Sequence, residues 1–149
     1  MTIHAPIWYV TKDGDRACIE LYERHYSCYE YKDGRERKQC VGPGAHIMLR
    51  TASADAMFVW RKYIDDTIPK QEGVECAVFR NEGPFLSSEL IRQADAVADF
   101  GWPSERHYTK VDPEAVRSAN PGYCFIKAGW RRAGYTRGGL LILERLPRS

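Results

Sequence analysis

The sequence predicts an α/β domain with a mainly antiparallel sheet and helices covering it. Three observations predict this class. Apolar runs of strand length recur along the chain, three of them in succession between residues 45 and 80. Helical patterns at 14–26 and 88–100 interrupt the series. A pair of apolar runs about Gly138-Gly139 closes the chain as a hairpin. The order is strand, helix, three strands, helix, strand, broken helix and hairpin, which suits a sheet with helical cover.

The elements follow in order. "PIWYV" (6–10) reads as a short first strand, and "GDRACIELYERHY" (14–26) as a helix with Ala17, Leu21 and Tyr22 at helical spacing. "YKDGRERK" is a polar loop around Gly34. Strands are expected at 45–51 and 56–64, split by the turn-like "ASAD", and again at 73–80. A helix over 88–100 precedes a strand over 106–111. "DPEAVRSA" starts a helix well, since Asp112 can cap it and Pro113 suits its first position. Pro121 interrupts that helix, and "GYCFIKAG" makes a second short one closed by Gly129. "WRRAGYT" and "LLILERL" are the last two strands.

A chain of 149 residues, 44% hydrophobic and 28% charged, fills one domain, so residues 1–149 are expected to form a single unit. No apolar run reaches membrane-spanning length, and no basic segment followed by an apolar one marks a secretion signal. Five scattered cysteines fit a reduced protein better than a disulfide framework. Charge is uneven. Residues 117–149 hold seven basic side chains and one acid, Glu144, a net +6 that leaves −4 on the rest of a chain whose total is +2. A weaker basic cluster is Lys32, Arg35, Arg37 and Lys38. Such charge holds a polyanion or forms a solvated face.

The most informative stretch is "AVFRNEGPFLSSELIRQA" (77–94). An apolar strand ends in Arg80, Asn81 and Glu82, and a helix opens at Ser87 or Ser88, both good caps. If Ser87 caps, Leu86 and Ile91 occupy staple positions. Free N–H groups of the first turn and the helix dipole then make an anion seat, most often for phosphate. Gly83 permits close backbone approach, and Arg80 can grip the same anion. An ordinary strand–loop–helix corner with a surface arginine is the other reading, and both stay open here.

Arg80-x-x-Gly83 resembles the first half of the arginine/glutamine-x-x-glycine-x-glycine/alanine loop of the GNAT acyltransferase superfamily. In that family the loop cradles the pyrophosphate of acetyl-coenzyme A. Phe85 replaces the second small residue, and about two extra residues precede the helix. "NPGYCFIKAGWRRAG" is similar to the family's next motif of short helix, Gly129-Trp130 and strand, so the resemblance covers most of residues 45–145. It implies a GNAT-like mixed sheet, with an acyl-CoA at Phe79, Arg80, Asn81, Gly83, Ser87 and Ser88. Many members place a tyrosine acid four residues before that glycine. Phe125 stands there, and Tyr123 is the nearest hydroxyl, on another side of a regular helix.

"RHYS" (24–27), "FRNE" (79–82), "LSSELI" (86–91), "VDP" (111–113) and "PGYC" (121–124) together resemble bacteriophage Mom-type proteins, GNAT-related enzymes that convert DNA adenine to N6-carbamoylmethyladenine. The resemblance implies catalytic roles for His25, Tyr26, Ser88, Asp112 and Tyr123. It also implies double-stranded DNA as partner, protection of that DNA from restriction, and work in a host bacterial cytoplasm; a homodimer stays open. Asp112 reads as a helix cap, as a proton acceptor, or as both. A carbamoylmethyl group is joined through its methylene carbon, so simple acetyl transfer does not make it and a further activation step is needed. A redox metal such as iron is one source of that step, and Tyr26, His25, Asp112 and Tyr123 include ligand atoms for it. The metal set stays open.

The alternative activity is acetyl transfer from acetyl-CoA to a small amine or peptide. Non-enzymatic DNA binding is a third reading, in which the Arg80–Ser88 loop would have no task. For the first reading, the basic C-terminal segment with Tyr108, Trp130 and Tyr135 is expected to hold the DNA backbone. A zinc site from His25, Cys28, Cys40 and His46 has the wrong spacing for common fingers.

Overall fold

The computed structural model describes residues 7–24, 41–42, 44–115 and 120–148. Among them the order is β1 (Tyr9–Thr11), α1 (Arg16–Glu23), β2 (Ala45–Arg50), β3 (Ala56–Lys62), β4 (Val74–Asn81), α2 (Ser87–Gly101), β5 (His107–Val111), α3 (Tyr123–Lys127), β6 (Arg131–Tyr135) and β7 (Leu141–Arg145). The strands form one seven-stranded sheet in the order β1-β2-β3-β4-β5-β7-β6. Every neighbouring pair is antiparallel except β4 and β5. The fold is α/β with a mixed, mainly antiparallel sheet, as expected, and is compatible with a GNAT-like arrangement.

Each face of the sheet is covered by the helix whose apolar stripe matches it. On one face α1 packs Cys18 and Leu21 against Met48, Met57, Val59 and Val78. Asp15 starts that helix by accepting from the backbone N–H groups of Ala17 and Cys18, and Arg50 donates to the same carboxylate. On the other face α2 sets Leu90, Ile91, Ala94 and Ala98 against Leu49, Phe58, Trp60, Val74 and Cys76. Leu90 and Ile91 are fully buried, each worth roughly 1.5–3 kcal/mol of apolar transfer. The indole N–H groups of Trp8 and Trp60 donate to the carbonyls of Leu90 and Ala94, which fixes α2 on the sheet.

Two buried polar clusters sit within this core. Asp95 of α2 meets His107 Nδ1 at 2.8 Å and accepts from the Trp130 indole at 3.0 Å. Arg145 crosses from β7 to grip Asp99 with both terminal nitrogens. On the α1 face, Lys110 donates to Asp65 at 2.6 Å, and Tyr108 donates to the same carboxylate at 2.8 Å. Burial alone would push the Asp65 carboxyl up, but these bonds and those from Thr67 outweigh it and leave it well below the usual carboxylate range. The segment between β3 and β4 is thereby strapped across the sheet.

Several expected boundaries move: α1 starts at Arg16 and β3 ends at Lys62, and three further changes have a local cause. The first strand begins at Tyr9, because Trp8 is drawn inward by its bond to α2. Helix α2 is capped by Leu86 in extended conformation, so neither serine caps, and Ser87 is the first helical residue. Leu86 is 70% exposed and forms no staple with Ile91. Asp112 does accept from the N–H groups of Glu114 and Ala115, but residues 113–115 form a turn and 116–119 lie outside the described residues.

Candidate functional site

Strands β4 and β5 pair only at Val74 with His107 and Glu75 with Tyr108. One step on, the Thr109 hydroxyl donates to the Cys76 carbonyl, and beyond that the ladder ends. Both strands continue, to Asn81 and Val111, so they part toward their carboxyl ends. A crevice at the carboxyl ends of parallel strands is where open α/β sheets receive ligands. Helix α3 crosses this opening, with the Phe125 ring 6.0 Å from that of Phe79 on β4.

A bulge decides which side chains face the crevice. Val59 pairs with Val78 and Trp60 with Cys76, leaving Ala77 as an extra residue in β4. The alternation of β4 therefore flips. Phe79 joins the α2 layer, whereas Arg80, opposite Met57, leaves the sheet on the α1 side. There Arg80 Nε donates to Glu82 at 2.9 Å, and Arg24 at the end of α1 grips the same carboxylate through two nitrogens, at 2.8 and 2.9 Å. The Arg24 fork first, and then Arg80, hold the Glu82 carboxyl down to about 2. The arginine expected to meet an external anion is thus already paired with an internal one.

The loop from β4 to α2 is organised by Asn81. Its amide nitrogen donates to the Phe85 carbonyl and to Ser87 Oγ, and its oxygen accepts from Gly83 N–H. A Cβ at Gly83 would stand 2.4 Å from the Asp55 carboxyl carbon. Packing against Asp55 therefore accounts for this glycine, and its N–H already has an acceptor. The N–H groups of Ser87 and Ser88 remain as the pair that a first helical turn leaves without an intrahelical acceptor. Ser88 itself is buried. The described residues that an acyl-CoA would meet are those of the parted strands and of this first turn of α2, with Arg80 held by Glu82.

Asp112 and Tyr123 stand at the end of β5 and at the start of α3. Asp112 directly follows β5, and its Oδ1 takes both turn bonds, so Oδ2 is the atom that can meet an amine. Tyr123 opens α3 and is 51% exposed, whereas Phe125 is buried against Trp130, ring centroids 4.8 Å apart. The tyrosine thus points away from the side Phe125 occupies, as its two-residue offset requires. Gly122, at φ 76°, lies so close to β7 that a Cβ would meet Leu143 Cδ1 at 2.3 Å. That contact sets where α3 starts.

His25 and Tyr26 lie outside the described residues, as do Cys28, Cys40 and the basic cluster of Lys32, Arg35, Arg37 and Lys38. His46 is exposed at the start of β2. Among the described residues no group of three or more His, Cys, Asp or Glu stands together as a metal site. Burial pushes the Cys18 thiol up to about 11 and raises Cys76 and Cys124 as well, which disfavours all three as thiolate nucleophiles. Tyr108 and Trp130, expected near a DNA backbone, are buried in the core, while Tyr135 is 61% exposed. No helix among the described residues is long and apolar enough to cross a membrane.

Reading the sequence missed the Arg24–Glu82 grip and the contact of Asp55 with Gly83. Both join residues distant in the chain, and no local pattern announces them. The partial signal was "RNE" itself, a charged triplet at a strand end whose acid can pair with its own arginine. Comparison with protein-family models, with curated proteins and with solved structures finds no match for this chain.

Proposed function

We propose that this protein modifies adenine in DNA, placing a carbamoylmethyl group on N6 and so protecting the DNA from restriction. One observation carries the reading furthest: β4 and β5 part at their carboxyl ends beside the start of α2, with Asp112 at the end of β5. This is a crevice with an anion-favouring wall and a carboxylate. The resemblance of "RHYS", "FRNE", "LSSELI", "VDP" and "PGYC" to Mom-type proteins supplies the substrate.

Within this reading each residue has a task. The Ser87 and Ser88 N–H groups bind the phosphates of an acyl-CoA. Arg80 exchanges Glu82 for the same anion. Phe79 and Phe125 wall the crevice and exclude water from it. Asp112 Oδ2 accepts a hydrogen bond from the adenine amino group and takes its proton. Tyr123 holds a phenol proton ready for a leaving group. His25 and Tyr26, which lie outside the described residues, are the other two residues to which the resemblance gives a catalytic role. When bound, the acyl-CoA would supply an acyl unit with the CoA thiol as its leaving group. Joining a methylene carbon to nitrogen needs a further activation step, and no His, Cys, Asp or Glu group among the described residues would hold an iron for it. A duplex base reaches the crevice only after extrusion, at a cost of a few kcal/mol.

The test is chemical. Plasmid DNA from bacteria expressing the protein is digested to nucleosides and analysed by mass spectrometry, where a deoxyadenosine heavier by the carbamoylmethyl group is expected. Unmodified adenine from a folded protein that binds acetyl-CoA would favour acetyl transfer to a small amine or peptide. N-acetyl adenine would keep DNA as substrate and overturn the product chemistry.

A further inference from the structure

Among the described residues, the hairpin of β6 and β7 ends the sheet, and no further strand pairs with the outer edge of β6. All five residues of β6 are exposed, whereas all five of β7 are buried. Arg132 pairs with Leu143 and Tyr135 with Leu141, so β6 carries one residue more than β7 over this span. Gly134, at φ 102° with nothing near its Cβ position, absorbs the extra residue. In a regular strand, positions three apart face opposite ways. Here the bulge returns Tyr135 to the face of Arg132, because Leu141 and Leu143 both belong to the α2 and α3 side of the core.

Tyr123 joins that face. The Asn120 side chain accepts from Arg132, and the Asn120 carbonyl accepts from Tyr123 N–H, so the start of α3 and the hairpin share one rim. Arg137 follows in the exposed turn, where its backbone N–H donates to the Ile68 carbonyl at 2.7 Å. The hairpin's only acid, Glu144, is taken up on the opposite face by Arg131 and Arg106, each at 2.8 Å. The rim therefore offers two exposed phenol rings and the Arg132 guanidinium, with Arg137 in the adjoining turn and no carboxylate of the hairpin beside them.

We infer that this rim binds a nucleic-acid strand with unpaired bases, with the tyrosines stacking on bases and the arginines on phosphates. The inference rests on the DNA-modifying reading and deepens it, because a strand around an extruded base would run along β6 toward Tyr123. Charge selects this occupant over a second copy of the chain. Two β6 edges paired with each other would bring arginines against arginines with no acid between them, and the bulge would break their ladder. A phosphate backbone meets the same arginines with opposite charge, and aromatic faces accept any base.

The experiment measures binding of a fluorescein-labelled single-stranded oligonucleotide and of its duplex, by anisotropy over a range of salt concentrations, for the full chain. Tyr135→Ala should weaken single-strand binding about tenfold and leave the salt slope unchanged. Arg137→Glu should flatten the slope by about one unit or slightly more. Both positions are exposed, and circular dichroism confirms that the variants fold. Wild-type affinity in both folded variants overturns the inference, as does a protein that binds neither probe. So does a dimer in sedimentation velocity that Tyr135→Ala dissociates, since the edge then serves a second copy. Loss of binding in the variants with adenine unmodified in cells supports the rim and sinks the modification reading. Modified adenine with binding untouched by the variants sinks the rim alone.

Discussion

Replacing Arg80 with alanine should weaken acetyl-CoA binding by about five- to thirtyfold, and the structure explains why the loss is not larger. A hydrogen bond between a guanidinium and a phosphate is worth roughly 1.5–3 kcal/mol. Arg80 has a partner before any ligand arrives, since its Nε holds Glu82 at 2.9 Å. Both side chains are about one-third exposed, and pairs of this kind contribute about 0–1 kcal/mol. The difference spans about 0.5–3 kcal/mol, with about 1–2 at its centre, and about 1.4 kcal/mol is a factor of ten. The same competition gives Glu82→Gln the opposite sign: it frees Arg80 and should tighten binding by up to about fivefold. In the double variant the gain from the Glu82 change should vanish, because it acts through Arg80. Calorimetric titration of the four proteins with acetyl-CoA measures the cycle, with circular dichroism as the check on folding. Equal affinities in all four would refute the reasoning and return Arg80 and Glu82 to an ordinary surface pair.

Three further outcomes are expected. Tyr123→Phe should lower turnover, with a change in urea-unfolding stability within about 0.5 kcal/mol, since its ring is half exposed and only the hydroxyl is lost; full activity would make Tyr123 a stacking residue only. Asp95→Ala should cost about 3–5 kcal/mol of stability, because it strands buried His107 and the Trp130 indole beside Arg145; a loss under 1 kcal/mol in the same assay would contradict that account. Glu82 has its carboxyl depressed from 4.5 to about 2, so its contribution is fully present above about pH 4.5 and is lost as pH falls toward 2; Glu82→Gln should flatten that part of the stability–pH curve, and an unchanged slope would count against the Arg24 grip.

Local pattern and tertiary contact divided this protein between them. The apolar stripe Leu90, Ile91, Ala94 and Ala98 specified α2 and the side it buries, because helical periodicity is a local property and those positions had to face one way. The Gly138-Gly139 bend announced the hairpin, and the order of elements announced a mixed sheet, before any contact was known. Asp112 was legible as an acceptor for the N–H groups two and three residues on, because such a carboxylate acts on its own chain, although those residues form a turn. The direction of Arg80 was not legible. It depends on whether β4 takes an extra residue at Ala77, and pairing with β3 decides that. The same holds for Tyr135, whose face is set by the Gly134 bulge against β7. Nor could the chain announce that Glu82 would answer Arg24 from 58 positions away, or that Asp55 would fill the space beside Gly83. Side-chain direction along a strand alternates with a period of two, so one inserted residue reverses every later position. A sequence carries the alternation, but only the partner strand reveals where it slips.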